Sequence, residues 1–332
     1  MSEKFTITNL AREYREKYGN KMPTLKLARI MAKENPLLFS GVEAARSALR
    51  YIEFKIGKPT PKKLALMGPE RPRAPYNIPE SSRADRKPFL LPESCNNILL
   101  ISDLHIPYHD VKAIEIALDY GLDNDINCIF INGDLIDFHM LSKFDKDPRK
   151  RSVKYELDTA KEVLRIFRRT FPEAAIYWLK GNHCVRYEKW LMTKVYEIFD
   201  DEYYHLEQRL RLNEEGVVII DDKIHVKAGN LSITHGHHLM RGFFSPVNSS
   251  RGAWMKAKQS VIIGHVHRHS SHTEVNMDGD VTGTWSTGCL CELKPDYNPL
   301  VSNYQHGFAH IKVFQNKKVQ VRNFQIQDYK IY

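Results

Sequence analysis

The chain has 332 residues, of which 42% are hydrophobic and 27% are charged. This composition suits one large or two smaller globular domains, and it excludes a disordered chain and a small disulfide-stapled protein. No run of about 18 apolar residues predicts a membrane span, and residues 1–10 lack the apolar segment of a signal peptide. Five scattered cysteines, an odd number, indicate free thiols and a cytoplasmic protein.

The net charge of +9 is concentrated towards the N-terminus. Residues 1–92 contain 19 Lys and Arg against 9 Asp and Glu, whereas all 15 His lie at residue 105 or later. Eight of the 16 Pro fall between residues 59 and 92. We therefore expect a basic helical domain at 1–57, a Pro-rich basic linker at 58–92 and a separate domain at 93–332.

The basic domain is predicted to contain three helices. The second spans residues 24–34, and the third runs to residue 56 after a capping box formed by Ser40 and Glu43. Arg46 and Arg50 lie one turn apart on the third helix, and they are candidates for contacts with DNA or RNA, as in a helix-turn-helix protein. Two alternatives stay open: a surface that docks another protein, and a bundle whose cations only face solvent. The linker either adds phosphate contacts or serves as a spacer.

The second domain is predicted to alternate buried strands with helices, which favours an α/β sandwich. Helices are expected at 111–122 and 153–170, and three strands after residue 280 are expected to complete the second sheet. Polar side chains follow five of the strands, and the loops of such sheets meet where the strands end, so we expect one shared site. In chain order, the strands and the residues after them are 98–101 with Asp103 and His105, 128–131 with Asp134 and Asp137, 175–179 with Asn182 and His183, 231–234 with His235, and 261–263 with His265 and His267.

These side chains offer carboxylate, imidazole and amide donors, which suit manganese, iron or zinc. The cysteines lack the paired spacing of a thiolate zinc site, and Cys289 and Cys291 are expected to pack rather than to bind metal. Seven potential ligands are too many for one ion, but they suffice for two ions that share a bridging carboxylate. Asp137 is expected to support its loop by hydrogen bonding.

The order of these motifs resembles that of calcineurin-like metallophosphoesterases over residues 98–270, about half of the chain. The resemblance implies a calcineurin-like two-sheet α/β sandwich. Cys184 follows the Gly-Asn-His block, where an acid is common in the family. Phe138 follows the Gly-Asp-x-x-Asp block, where protein phosphatases have Arg, and this difference argues against phosphate binding of the protein-phosphatase type. The stretch 137–148 resembles phage and prophage members. The blocks are Asp103-x-His105, Gly133-Asp134-x-x-Asp137, Gly181-Asn182-His183, His235 and Gly264-His265-x-His267.

Carried over residue by residue, the resemblance implies two divalent ions, with manganese first and iron or zinc as alternatives. Asp134 would bridge the ions, and a hydroxide between them would attack phosphorus. His183 would lie just outside the ions and act as a general acid towards the leaving group. The first ion would be held by Asp103, His105 and His267, and the second by Asn182, His235 and His265.

The function expected from these features is a metal-dependent phosphodiesterase acting on nucleic acid or a nucleotide. The alternatives are a phosphomonoesterase and a nucleic-acid-binding protein with an inert phosphoesterase fold. His237 is either a substrate contact or a surface residue, and it rivals His235 as a ligand, although His235 directly follows its strand. Arg251 is either a substrate contact or exposed to solvent. The oligomeric state stays open.

Overall fold

The computed structural model describes residues 2–53, 86–143, 152–240, 248–295 and 302–332. The chain divides into two compact units, Met1–Arg83 and Ala84–Tyr332, called here the N-terminal and C-terminal units. Most of the predicted linker, at positions 58–85, lies outside the described residues. Across the described ranges, no helix combines the length and apolar character needed to cross a membrane.

Within residues 2–53, the N-terminal unit contains three helices around a small apolar core. Helix α1 spans Ser2–Tyr18, α2 spans Thr24–Glu34 and α3 spans Val42–Ile52. Arg15 is buried and ties the ends of these helices together, because it donates hydrogen bonds to the carbonyl oxygens of Gly19 (3.2 Å) and Met22 (2.7 Å) and forms an ion pair with Glu53. The buried core residues are Ala11, Leu27, Ala28, Met31, Phe39, Ala45, Leu49 and Ile52.

The predicted capping box of α3 is wrong. The helix begins one residue later than expected, with Gly41 as its N-cap and no side-chain cap. Ser40 and Glu43 therefore do not occupy the two positions that a capping box requires. Glu43 instead pairs with Arg46 at 3.0 Å, while Arg50 is exposed. The end predicted at residue 56 lies outside the described residues.

The described residues of the C-terminal unit form two sheets. Its strands are β1 (Phe89–Leu90), β2 (Asn97–Ile101), β3 (Cys128–Asn132), β4 (Ala175–Leu179), β5 (Val217–Ile220), β6 (Val226–Ala228), β7 (Leu231–Ile233), β8 (Val261–Ile263), β9 (His269–Val275), β10 (Val281–Thr287), β11 (His306–Val313), β12 (Val319–Gln327) and β13 (Lys330–Ile331). The first sheet has the order β13-β12-β11-β2-β3-β4-β5, and the second has the order β1-β6-β7-β8-β10-β9. Strands β2 to β5 are parallel neighbours.

Helices cover the outer faces of the two sheets. They are α4 (Val111–Asp123), α5 (Val153–Thr170), α6 (Cys184–Lys194), α7 (Leu206–Arg209) and α8 (Ser249–Ala257), with short 3-10 turns at His139–Leu141, Tyr196–Ile198 and Glu202–Tyr204. Successive side chains of a strand point to opposite faces. Accordingly, Leu99 and Ile101 of β2 pack in the core with α4 and α5, whereas Ile98 and Leu100 pack between the sheets. The predicted α/β sandwich is confirmed.

Two expectations about chain order need correction. The three strands after residue 280 do not all join the second sheet, because only β10 does so, while β11 pairs with β2 in the first sheet. Residues 306–311 of β11 are buried on both faces, and a strand of that kind needs a core on each side. The linker prediction also extended too far, because Phe89–Leu90 pair with β6 and belong to the C-terminal unit.

Candidate metal centre

All seven predicted metal ligands come together where strands of both sheets end. Asp103, Asp134 and Asn182 follow the parallel strands β2, β3 and β4 of the first sheet. His235 and His265 follow β7 and β8 of the second sheet, which are parallel neighbours as well. The ligand atoms form two groups, each within 4.8 Å of one another: Asp103 with His105 and His267, and Asp134 with His235 and His265.

The first group surrounds one oxygen of Asp103. The Oδ1 atom is buried and has no hydrogen-bond partner among the described residues. It lies 3.2 Å from Nε2 of His267, 3.8 Å from Nε2 of His105 and 3.9 Å from Nε2 of His235. The other oxygen accepts hydrogen bonds from Ser102 and from the backbone N–H of His265. A buried carboxylate oxygen that three imidazoles face is an arrangement suited to a cation.

The second group contains Asp134 at its centre. Oδ1 of Asp134 accepts a hydrogen bond from the backbone N–H of His183 at 2.8 Å. Oδ2 lies 3.0 Å from Nε2 of His235 and 3.9 Å from Nε2 of His105, so this oxygen faces both groups. The amide oxygen of Asn182 lies 3.2 Å from Nε2 of His235. Asp134 therefore lies between the two groups and faces an imidazole of each.

The tautomers of two histidines leave lone pairs directed at carboxylates. Nδ1 of His105 donates to Asp137 at 3.0 Å, and Nδ1 of His235 donates to the carbonyl of Asn132 at 2.9 Å. In the neutral rings, Nε2 then carries a lone pair that faces the oxygens of Asp103 and Asp134. Two lone pairs cannot approach closely unless a proton or a metal ion lies between them. The donor set therefore fits divalent cations.

The pKa values of two buried histidines reflect the negative charge of the neighbouring carboxylates. Burial opposes the charged form of His105, but hydrogen bonds to Asp103 and Asp137 outweigh it and raise the pKa to about 10. Burial likewise opposes charge on His235, yet the charges of Asp134 and Asp103 raise its pKa to about 9. Burial, reinforced by the neighbouring His235, lowers the pKa of His265 to about 3. A field that attracts protons to buried imidazoles also attracts metal cations, which compete for the same lone pairs.

Several predicted ligands have left-handed backbones. The φ angles of Asp103, His105, Asp134, His265 and His267 are 55°, 48°, 35°, 65° and 54°. This conformation costs a non-glycine residue about 1–2 kcal/mol and is tolerated best by Asn, Asp and His. Such strain concentrates at functional sites, where it turns side chains away from the strand and into a common space.

A glycine is required between the two groups. Gly181 precedes Asn182, and a Cβ atom at residue 181 would overlap the carboxylate of Asp134. The motif Gly181-Asn182-His183 therefore combines a ligand with the small residue that lets Asp134 approach it. This close approach places the amide of Asn182 and the carboxylate of Asp134 beside the same imidazole, that of His235.

Asp137 is expected from the sequence to support its own loop, and in the structure its carboxylate contacts two histidines of the centre. Its Oδ1 atom accepts from Nδ1 of His105 at 3.0 Å and from Nδ1 of His183 at 2.8 Å. The hydrogen bonds to these histidines outweigh the effect of burial and hold the pKa of Asp137 well below its usual range, so the carboxylate is ionised. One carboxylate thus fixes the tautomers of both rings.

His183 lies beside the two groups with its Nε2 atom at their edge. Its ring centroid is 4.4 Å from that of His105, and Nε2 is 4.0 Å from Oδ2 of Asp134. Arg186, which the sequence analysis did not identify, donates from Nη2 to Nε2 of His183 at 3.0 Å and from Nη1 to the carbonyl of Asp137 at 3.0 Å. The signal that could have found it is the three-residue spacing, which puts both side chains on one face at the start of α6.

The two predicted substrate contacts have different surroundings. His237 is buried near the centre, with its ring centroid 5.5 Å from that of His235 and 6.0 Å from that of His265. Its Nε2 atom contacts Asp222 at 3.2 Å. Arg251 is exposed in the first turn of α8, where its backbone N–H is capped by Asn248 at 3.0 Å. The structure thus brings His237 to the centre, whereas the Arg251 side chain faces solvent.

The cysteines near the centre are buried and free. Sγ of Cys291 lies 3.9 Å from Nδ1 of His267, behind the ring relative to Asp103. The neighbouring Cys289 and burial hold the pKa of Cys291 well above its usual range. Ligand atoms of Cys289, Cys291 and His267 also lie within 4.8 Å of one another, so the packing role of the two cysteines stays a prediction.

The chain belongs to the calcineurin-like phosphoesterase family, whose sequence model matches residues 97–301, more than half of its length. Gene 54 protein of Mycobacterium phage L5 is 27% identical over 229 residues, which make up 65% of this chain and 88% of that protein. The predicted resemblance to this family and to phage members is therefore confirmed.

Two solved structures match most of the chain at low identity. Vacuolar Protein Sorting 29 from Cryptosporidium parvum matches with a TM-score of 0.39 and 16% identity, over 71% of this chain and 94% of that chain. YfcE, a phosphoesterase from E. coli, matches with a TM-score of 0.34 and 13% identity, over 71% of this chain and 96% of that chain.

Proposed function

We propose that the protein is a divalent-metal-dependent phosphodiesterase that acts on nucleic acid or on a nucleotide. The observation that carries this proposal is the pair of ligand groups that meet at Asp134, with His183 beside them. Family membership supports metal-dependent phosphoester hydrolysis in general. The dinuclear centre, the diester preference and the nucleic-acid substrate are the finer parts of the proposal.

The proposed ligands divide between two ions according to their groups. Asp103, His105 and His267 would hold the first ion, and Asn182, His235 and His265 would hold the second. Asp134 would contact both, because its Oδ2 atom faces His235 and His105. The oxygen and nitrogen donors favour manganese, with iron or zinc as alternatives. When bound, such a pair neutralises phosphate oxygens and lowers the pKa of a water molecule.

His183 is proposed to protonate the leaving oxygen. Asp137 accepts the Nδ1 proton at 2.8 Å, which directs Nε2 away from Asp137 and leaves it as the atom that exchanges protons. The pairing resembles other His–carboxylate pairs in which the carboxylate fixes the tautomer and stabilises the protonated ring.

The five free, buried thiols support the predicted cytoplasmic location, which stays a prediction.

Arg186 is proposed to bind the substrate phosphate. In the structure its guanidinium donates to Nε2 of His183, so His183 can carry a second proton only after Arg186 has turned away. A phosphate has the charge and geometry to attract a guanidinium. Substrate binding would thereby release His183 for proton transfer.

This role predicts different effects for two arginine variants. Arg186→Ala is expected to raise KM for a phosphodiester about tenfold or more, since charge-assisted hydrogen bonds contribute about 1.5–3 kcal/mol. Arg251→Ala is the matched control, because Arg251 is exposed on α8, and its KM should stay near the wild-type value. Steady-state kinetics would check both. A raised KM in Arg251→Ala alone would reverse the assignment.

The diester preference is checked by comparing two chromogenic substrates. With Mn²⁺ present, kcat/KM for bis-p-nitrophenyl phosphate is expected to exceed that for p-nitrophenyl phosphate. A monoester carries more negative charge and lacks the second ester group of a nucleic-acid backbone. Faster hydrolysis of the monoester would favour the phosphomonoesterase, and hydrolysis of neither substrate would favour the inert nucleic-acid-binding protein.

The N-terminal unit is proposed to bind DNA or RNA through its basic surface. The net charge of the chain is +9, and residues 1–83 alone contain 17 Lys and Arg against 8 Asp and Glu. Of the two arginines proposed to contact nucleic acid, Arg50 is exposed, and Arg46 forms an ion pair with Glu43 at 3.0 Å. Phosphate contacts of this kind depend strongly on salt. Docking of another protein is the alternative occupant of this surface.

Deletion of residues 1–83 is expected to separate the two activities. Each unit has its own buried apolar core, so the C-terminal unit, from Ala84 onwards, should still hydrolyse bis-p-nitrophenyl phosphate. DNA or RNA binding should weaken, and each lost phosphate contact should reduce the log–log salt slope by about 0.9 on duplex DNA. Arg46→Ala combined with Arg50→Ala should produce a smaller change in the same direction. Unchanged affinity and slope after the deletion would favour protein docking.

A further inference from the structure

Three side chains outside the predicted ligand set converge on one point. Oδ2 of Asp222 lies 3.2 Å from Nε2 of His237 and 3.0 Å from Nε2 of His238. The ligand atoms of all three residues lie within 4.8 Å of one another. Asp222 and His237 are buried, whereas the side chain of His238 is 39% exposed. The cluster therefore has a buried floor and one side open to solvent.

The cluster is built in the same way as the main centre. Asp222 follows β5, which is the parallel neighbour of β4, and His237 and His238 follow β7. The run Val217-Val-Ile-Ile-Asp-Asp222 is a short apolar strand followed by carboxylates, and Asp103 likewise follows an apolar strand. The same edge of the sandwich thus supplies a further carboxylate and two further imidazoles.

The distances match those between ligands of one ion. Ligand atoms held at about 2.0–2.2 Å around a tetrahedral ion lie about 3.3 Å apart. The contacts of Asp222 with His237 and His238 repeat the contacts within the main centre, where Asp103 lies 3.2 Å from His267 and Asp134 lies 3.0 Å from His235. The simpler alternative is a carboxylate that accepts two ordinary hydrogen bonds, and it requires a proton on both Nε2 atoms.

The two alternatives place the proton of His237 on different atoms. An ordinary hydrogen bond to Asp222 puts the proton on Nε2, whereas metal binding through Nε2 puts it on Nδ1. Nδ1 of His237 is buried and has no hydrogen-bond partner among the described residues, so it does not select between them. The convergence of three donor atoms on one point, with one side open to solvent, is the observation that points to a cation.

We propose that Asp222, His237 and His238 form a third divalent-cation site beside the main centre. Two imidazoles and one carboxylate leave coordination positions open towards the exposed side of His238, as in metal sites that exchange water or bind a substrate oxygen. The donor set suits a transition-metal ion of the same class as the main centre. The site goes beyond the proposed function, because it exists whether or not the protein hydrolyses diesters.

The test counts cobalt ions bound to the full chain. Metal-stripped wild type, Asp222→Asn and His238→Ala are dialysed to equilibrium against Co²⁺, and bound cobalt per chain is measured. Each variant is expected to bind one ion fewer than wild type. His272→Ala is the matched control, because His272 lies on β9 and contacts Glu274 at 2.8 Å outside the cluster, so its count should equal that of wild type.

The result is read as a difference between variants. Equal counts in wild type, Asp222→Asn and His238→Ala would overturn the proposal, and so would the same loss in His272→Ala. His238 is partly exposed, so its variant gives a reading even where Asp222→Asn disturbs folding, which thermal unfolding would reveal. Failure of the phosphodiesterase proposal would appear in the rates with bis-p-nitrophenyl phosphate and would leave the cobalt difference unchanged.

Discussion

Asp134→Asn is expected to abolish phosphodiester hydrolysis. Asp134 is the carboxylate that faces both ligand groups, with Oδ2 3.0 Å from Nε2 of His235 and 3.9 Å from Nε2 of His105. The amide has the same shape but no charge, so the imidazoles and any cations around it lose their shared counter-charge. The variant should bind fewer Mn²⁺ ions than wild type and should hydrolyse bis-p-nitrophenyl phosphate at the background rate.

Asp125→Asn is the matched control for this prediction. Asp125 has a left-handed backbone like Asp134, with φ angles of 50° and 35°, but it is exposed in the turn after α4. Asn tolerates this conformation. The control therefore measures the effect of an Asp→Asn change at a left-handed residue outside the metal centre. Wild-type activity is expected in Asp125→Asn. Near-wild-type activity and metal content in Asp134→Asn would show that this carboxylate does not join the two groups.

His183→Ala is expected to lower kcat by about 10²–10⁴-fold, the usual contribution of a general acid. The loss should shrink for substrates with good leaving groups, such as p-nitrophenyl esters, because a stable leaving anion needs little protonation. The metal content should stay at the wild-type level, since the imidazole of His183 is held by Asp137 and Arg186 rather than by either ligand group.

The comparison of leaving groups is the measurement that separates acid catalysis from other roles. A series of aryl phosphodiesters would give the slope of log kcat against leaving-group pKa for wild type and for His183→Ala. A steeper slope in the variant is expected, because the wild-type acid compensates for poor leaving groups. If His183→Ala instead lost both metal ions, His183 would be a ligand, and the proposed assignment would be wrong.

The sequence could predict most of the centre because its parts are local. Asp103, Asn182 and His265 each follow a short apolar strand within three residues, so chain order alone places them at a strand end. Parallel pairing of β2 with β3 and of β3 with β4 then brings these ends together. The helix predicted at 153–170 agrees with the observed Val153–Thr170 for the same reason, since its apolar residues recur at helical spacing.

The rest depended on contacts between distant segments. The sequence analysis did not identify strand β5 or the carboxylate of Asp222 that follows it. The proposed role of Arg186 depends on its hydrogen bond to His183, which is seen only once the side chains are placed. The assignment of the last strands to the two sheets likewise depends on the burial of β11 on both faces. The spacing of apolar residues in its sequence does not show this burial.

Dependence on a divalent metal is measured by the rate of bis-p-nitrophenyl phosphate hydrolysis as Mn²⁺ is returned to the metal-stripped protein. We expect no hydrolysis without metal and a rate that rises until the two proposed sites are filled, one at Asp103, His105 and His267 and the other at Asn182, His235 and His265. Asp134→Asn should stay inactive at every Mn²⁺ concentration. Full activity of the metal-stripped wild-type protein would show that hydrolysis does not need the proposed metal ions.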